Sequence, residues 1–319
     1  MVSRTKCSGK HSLTELRKHS LAAQPGDQSR SVQAAVSREL WAYWGESTCQ
    51  HDMMSPTAIE RIHDAARAAR GKSLDRRVYL DNDLGLYGLV DLEARQTVYV
   101  DVPVVRIVAL GRRDFWSPGD TWRTITYHLQ GEGWSSAVFD YFESQTKEEH
   151  FPAPNSRYQL RLLVYGGVAE CGNGNHRLIA ARAWLTDKYG DGAVLRGVRV
   201  SVFPIHRCVV DFLKRAVCEG SDVLTATLDH PDREYWRVDG KRIQLLLKSA
   251  KSPYEIYAWV DDQVVLLKDE RTFLQRRFPQ YFSPVMDRYG WRTVPLAIVE
   301  ELLDDSWLTP QLETAETWS

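Results

Sequence analysis

Between Tyr158 and Ile205 the sequence changes its periodicity twice. YQLRLLVYGG and VLRGVRVSVFPI are rich in β-branched and aromatic residues over strand-like lengths, whereas HRLIAARAWLTDK repeats apolar residues at helical spacing. The joint before the helix is ECGNGN, whose glycines and asparagines tolerate positive φ and start helices. The local order is therefore strand, tight turn, helix, strand, which places the chain in the α/β (α+β) class.

Leu178, Ile179, Ala180, Ala183 and Trp184 form a helical face of mostly small side chains, suited to close packing on a sheet. Ahead of them the residues conflict with simple helix formation. His176 and Arg177 place positive charge in the first turn, where unpaired N–H groups and the helix dipole already favour an anion. Gly172 and Gly174 let the backbone approach a ligand, and Asn173 and Asn175 tolerate the same region or cap, so Gly172 to Arg177 is a candidate phosphate-binding turn. The same residues also suit a plain helix start with a solvent-facing His-Arg pair.

Elsewhere the pattern predicts four parts. Residues 1–30, rich in Ser, Lys, Arg and Gln, read as an extension. Residues 31–97 hold a helix ending near Gly45 and a second helix with Thr57 or Ser55 as cap, Glu60 three residues after Thr57, and Gly71 beyond its end. Strands follow from Arg77, at least two forming a hairpin, with LDNDLG as a turn. Residues 98–206 hold the central motif, with two short helices between residues 120 and 147. Residues 207–319 begin with a helix over RCVVDFLKRAVCEG and continue into hairpins around Asp239-Gly240 and Asp261-Asp262. A last helix over VPLAIVEELLDD and a loose tail TPQLETAETWS end the chain. Tyr235, Trp236, Tyr254, Tyr257 and Trp259 alternate with polar residues, as half-buried strands do.

Composition narrows the function. The chain of 319 residues is 43% hydrophobic and has 11 tryptophans, which suits an ordered core. Its 41 Lys and Arg nearly cancel 42 Asp and Glu, a net charge of −1, so nothing favours bulk attraction to a nucleic-acid backbone. Cys7, Cys49, Cys171, Cys208 and Cys218 are odd in number and scattered, pointing to a reducing compartment rather than a disulfide or zinc framework. No run of about 18 apolar residues suggests a membrane span. The expectation is a soluble cytoplasmic protein.

GNGNHRLIAARA resembles the nucleotide-binding signature of the ParB/sulfiredoxin-like superfamily, in which a glycine turn leads to His-Arg or Arg-Arg at a helix start with alanines behind. The resemblance covers about residues 98–206, with VYVDVPVVRIVAL similar to the opening strand and RGVRVSVFPI to the strand after the motif helix. Sulfiredoxins carry the nucleophilic cysteine immediately before His-Arg, where this chain has Asn175, and Cys171 lies too early to inherit that role. ParB-type proteins add a DNA-binding helix-turn-helix, but here a single helix and hairpins follow. The nearest motif is that of the free serine kinases, an Asp-Gly-His-His-Arg turn. Gly174, His176 and Arg177 match it, with Asn173 replacing the aspartate and Asn175 the first histidine. An amide keeps hydrogen bonding and gives up charge, so the consequence depends on whether the replaced groups moved protons or held the turn.

The resemblance implies nucleotide-dependent phosphoryl transfer, with ATP or another nucleotide and Mg²⁺, to a small hydroxyl-bearing acceptor. Gly172, Asn173, Gly174, Asn175, His176 and Arg177 would hold phosphates. In the kinases an acceptor-directed carboxylate follows the opening strand, and here GRRDFWSPGD offers Asp114 and Asp120, with Arg112 and Arg113 as further phosphate contacts. Asp120 also suits an N-cap. The catalytic candidates are Asp114, Glu170 and His176, with Glu170 acting through a metal or pairing with Arg177, and the metal ligands unassigned. His206 and Arg207 are a further pair that can face the ligand or begin the next helix. The competing reading is a ParB-like nucleotide-binding regulator or DNA-associated protein without kinase activity.

Overall fold

A computed structural model describes residues 55–112, 114–147, 149–154, 156, 158–227, 237–238, 241–242, 245–252, 255–260, 263–269 and 290–314. The helix expected near Gly45, Arg113, and the aromatics Tyr235, Trp236 and Tyr254 lie outside them.

Helix α1 (Ala58–Ala68) begins where its local chemistry dictates. Thr57 Oγ1 accepts from Glu60 N at 3.2 Å, and Glu60 Oε2 accepts from Thr57 N at 2.7 Å, a reciprocal capping box. Ile62, Ala65 and Ala66 then turn inward. After a 3₁₀ turn (Lys72–Asp75) come β1 (Tyr79–Leu80), the short α2 (Asp81–Leu84), β2 (Gln96–Pro103) and β3 (Ile107–Leu110). The hairpin expected between residues 77 and 105 does not form. β1 pairs in parallel with β3, and β2 crosses to the far edge to pair with β6. LDNDLG is likewise no strand-to-strand turn, since α2 occupies it and ends at Gly85 in the left-handed region.

Helices α3 (Trp122–Thr126) and α4 (Ala137–Glu143) lead to β4 (Arg161–Tyr165) and β5 (Val168–Asn173), then α5 (Asn175–Tyr189) and β6 (Val194–Phe203). The mixed sheet has the order β1-β3-β5-β4-β6-β2. YQLRLLVYGG is the first arm of a hairpin, and the strand that enters the helix is VAECGN. Gly167 is required at the bend because a Cβ there would lie 2.1 Å from the Asp304 carbonyl oxygen. Its own N–H donates to Leu302 O at 2.9 Å, docking the hairpin under the last third of the chain.

That last third contains α6 (Arg207–Glu219), β7 (Val223–Thr227), the hairpin β8 (Arg237–Val238) and β9 (Lys241–Arg242), then β10 (Leu245–Ser249), β11 (Glu255–Val260), β12 (Gln263–Asp269) and β13 (Arg292–Val294). Both expected hairpins pair antiparallel. A second, antiparallel sheet runs β12-β11-β10-β7-β13. The expected final helix is α7 (Leu296–Leu303). The described part of the tail, expected to be loose, is ordered: Thr309–Thr314 forms α8. Gln311 Oε1 accepts from Asp101 N at 2.7 Å and its Nε2 donates to Asp101 O at 2.9 Å. One side-chain amide thus imitates a neighbouring strand at the bulge in β2.

Ser55–Ser319 form one compact unit whose central sheet has two cores. Leu162, Val164, Ala169 and Cys171 face the core shared with α1, α3, α4 and α5, so residues expected to flank the 98–206 region pack into it. Tyr165, Val168 and Phe203 face the other core, shared with α6, α7 and the second sheet. Among the described residues no helix is long and apolar enough to cross a membrane.

Helix α5 is buried along almost its whole length and carries a guanidinium into the first core. Arg182 is fully buried, donates from Nη1 to Ile107 O at 2.7 Å and from Nη2 to Ser73 O at 2.8 Å, and stacks over Trp122 at 4.1 Å. Arg182→Ala strands both carbonyls and opens a cavity, which lowers stability by about 3–5 kcal/mol. Urea unfolding measures it, and an unchanged midpoint contradicts the anchor.

Candidate functional site

The chain leaves β5 at Asn173 and enters α5 at Asn175, with Gly174 between them at φ 95. Gly174 alone makes the turn, because Gly172 is part of β5 and has no positive φ. A Cβ on Gly174 would meet Arg177 Nε at 2.9 Å and Leu160 Cδ1 at 3.0 Å, so the arginine side chain folds back across the glycine. No side chain caps the helix, and its first turn holds no acid.

Both asparagines serve the scaffold. Asn175 is 5% exposed and its Oδ1 accepts from Gly111 N at 3.2 Å, while that same N–H donates to Cys171 O at 3.0 Å. This shared hydrogen bond ties the loop after β3 to the turn. Asn173 Nδ2 donates to Gln159 O at 2.7 Å and fixes the approach to β4. Where the kinase motif has two titratable groups, this chain has two amides that hold backbone.

The loop pinned at Gly111 carries Arg112, Asp114 and Phe115. Phe115 packs on His176 with ring centroids 4.3 Å apart. Arg112 and Asp114 form an exposed pair at 2.6 Å, close enough to act on His176 through space. Exposed pairs of this kind contribute only about 0–1 kcal/mol, so both side chains can turn to a ligand at little cost. Asp120 does not cap α3: its carboxylate accepts from Ser117 N, and Thr121 is the N-cap.

The His-Arg pair does not face solvent as a plain helix start would have it. Arg177 is 9% exposed, and its guanidinium lies 5.3 Å over Phe151, with Nη1 buried and without a hydrogen-bond partner. His176 Nδ1 is likewise buried without a partner. Burial holds the His176 pKa below its ordinary value, Arg112 adds to that shift, and Asp114 opposes it.

Two candidates are separated by strand alternation. Cys171 points under α5, fully buried, and burial pushes its thiol up to about 12, so it is no nucleophile at neutral pH. Glu170, its neighbour, points through the sheet to the opposite core, where Tyr165 Oη donates to it at 2.8 Å. It is neither beside the phosphate turn nor paired with Arg177. His206 and Arg207 also lie elsewhere. They follow β6, whose Phe203 pairs with Tyr165 at the end of the sheet remote from Asn173, and line an open cleft of about 990 Å³.

Among the described residues no three His, Cys, Asp or Glu side chains converge as a metal site. A magnesium ion carried by nucleotide phosphates needs only one or two protein carboxylates, and Asp114 is the acid near His176. Two neighbours of the turn escape sequence reasoning. Tyr141 and Phe151 lie in runs of aromatic residues that signal core, and nothing in their spacing marks a link to residue 177. The chain matches no family model, no curated protein and no solved structure.

A depressed folded-state pKa means that His176 favours the folded state in its neutral form. That contribution is present above the unfolded value of about 6.5 and is lost as pH falls through the folded value. Titration of the ring C–H resonances by NMR is expected to give a His176 midpoint below 6.5, moving upward when a phosphate dianion binds. A midpoint above 6.5 in the free protein contradicts this.

Proposed function

We propose that the chain is a nucleotide-dependent phosphotransferase acting on a small hydroxyl-bearing acceptor, similar in its motif to the free serine kinases. The observation that carries this reading is the start of α5: an uncapped helix end without acids, combined with a nine-tenths-buried arginine whose Nη1 has no partner. An unsatisfied buried donor of this kind costs about 1–3 kcal/mol, more when it is charged, and an anion at the helix end relieves it.

In this reading Gly174 lets phosphate oxygens approach the first-turn N–H groups of Asn175, His176 and Arg177. Arg177 and Arg112, whose pair with Asp114 is exposed, neutralise charge developing on the transferred group. Neutral His176 donates or accepts one proton at the same edge, its ring held by Phe115. Asp114 orients or deprotonates the acceptor hydroxyl once released from Arg112. Mg²⁺ carried by the nucleotide phosphates would supply charge neutralisation on the nucleotide. Glu170, buried against Tyr165, has no part in this chemistry.

A nucleotide that binds only the folded state stabilises it by about 2.7 kcal/mol at 100 times its dissociation constant. ATP or ADP with Mg²⁺ is therefore expected to raise the melting temperature by several degrees, and Arg177→Ala to abolish the rise. Asp114→Asn is expected to keep the rise and slow acceptor phosphorylation by about 100-fold or more. No shift with any nucleotide, or a salt-sensitive DNA mobility shift without phosphorylation, overturns the reading.

A further inference from the structure

Tyr141 lies on the inner face of α4, is 4% exposed, and has a hydroxyl without a hydrogen-bond partner. It stands beside Arg177, whose guanidinium acts on it directly. Both residues share one wall: the Tyr141 ring meets Phe151 edge-on at 5.2 Å, and Arg177 lies over the same ring at 5.3 Å. Burial raises the Tyr141 pKa, with Arg177 opposing it, so the hydroxyl keeps its proton and can donate. The acid that acts on Tyr141 is Glu149, an exposed residue whose carboxylate accepts from Ser144 Oγ at 3.5 Å.

Two buried groups able to donate, one of them a cation, thus meet near a helix N-terminus; the Tyr141 oxygen can accept weakly from the guanidinium, but that leaves the hydroxyl proton and Arg177 Nη1 without an acceptor. Buried polar groups are nearly always paired, and an unpaired one calls for an explanation. A neutral acceptor leaves the Arg177 charge uncompensated, whereas an anionic oxygen satisfies both donors. A phosphodiester has only two non-bridging oxygens and carries a substituent on each side. With one of them on the first-turn N–H groups and the other on Tyr141 and Arg177 it has none to spare, and both of its substituents must clear the buried wall around those two donors. A terminal phosphate has three.

We propose that Tyr141 is a further ligand-binding residue of this site, and that the site takes a terminal phosphate, one oxygen of which accepts from Tyr141 Oη and Arg177 Nη1 together. The assignment rests on the phosphate reading of the α5 turn. It distinguishes the end of a nucleoside polyphosphate chain, or a phosphomonoester, from the backbone of a nucleic acid.

The test is calorimetric titration of the full chain with inorganic pyrophosphate and with dimethyl phosphate, alongside melting curves without ligand, for the wild type, Tyr141→Phe and Arg177→Ala. The wild type is expected to bind pyrophosphate and not dimethyl phosphate. Tyr141→Phe is expected to bind pyrophosphate about tenfold or more weakly, while its ligand-free melting temperature stays level or rises, since the variant removes an unpaired hydroxyl and keeps the ring. Equal affinity of Tyr141→Phe and wild type, with binding lost in Arg177→Ala, overturns the Tyr141 assignment and leaves the phosphate site standing. A ligand-free Tyr141→Phe that melts well below the wild type also overturns it, because the hydroxyl is then structural. Dimethyl phosphate binding as tightly as pyrophosphate overturns the terminal-phosphate class, and a wild type that binds neither overturns the site itself.

Discussion

The guanidinium of Arg182 fixes helix α5, and through it everything placed at the start of that helix. Its two hydrogen bonds reach Ile107 O, where β3 begins, and Ser73 O, in the 3₁₀ turn after α1. One side chain therefore joins the central helix, the sheet and the N-terminal helical segment, with Trp122 from α3 closing the stack. Desolvating a guanidinium is costly, and the two carbonyls and the aromatic face offset it. Because α5 is held at this point and packed along most of its length, its first turn is set by the core.

The two buried arginines of α5 make an informative contrast. Arg182 gives two N–H groups to carbonyls, while Arg177, more than one turn earlier, leaves Nη1 unpaired beside the unpaired hydroxyl of Tyr141. Both sit in the same core, so general tolerance for buried charge does not account for the difference. Arg182 also leaves its Nε unpaired, but only Arg177 stands at the helix end, next to the left-handed glycine and the pinned loop that carries Arg112 and Asp114. The proposed ligand site rests on that position at the helix N-terminus, where Nη1 and the first-turn N–H groups come together.

Much of the local structure was legible in the residues themselves. Thr57 and Glu60 announced the start of α1, the small-residue face announced α5, and Asp261-Asp262 marked a hairpin that forms. The pairing of strands was not legible, because it depends on contacts far apart in sequence. VAECGN contains few strong β-formers and reads as a turn. It is a strand because β3 and β4 supply partners on both sides. Glu170 looked like a site residue since it stands close to the turn in sequence, and only the register of that strand shows it on the opposite face. The tail had no apolar signal, and its helix is held through Gln311, a polar contact that periodicity cannot reveal. Tyr141, proposed as a further ligand contact, is hidden among core aromatics because the unpaired state of its hydroxyl is a property of its neighbours.

The proposed function requires that an anion be held by the backbone at the start of α5. Amide ¹H–¹⁵N spectra recorded while pyrophosphate is added test it most directly. The predicted result is a saturable set of shifts largest at Asn175, His176 and Arg177, with Gly111 following through its bond to Asn175. Shifts that are absent there, or that centre on the cleft around His206 and Arg207 at the other end of the sheet, would contradict it.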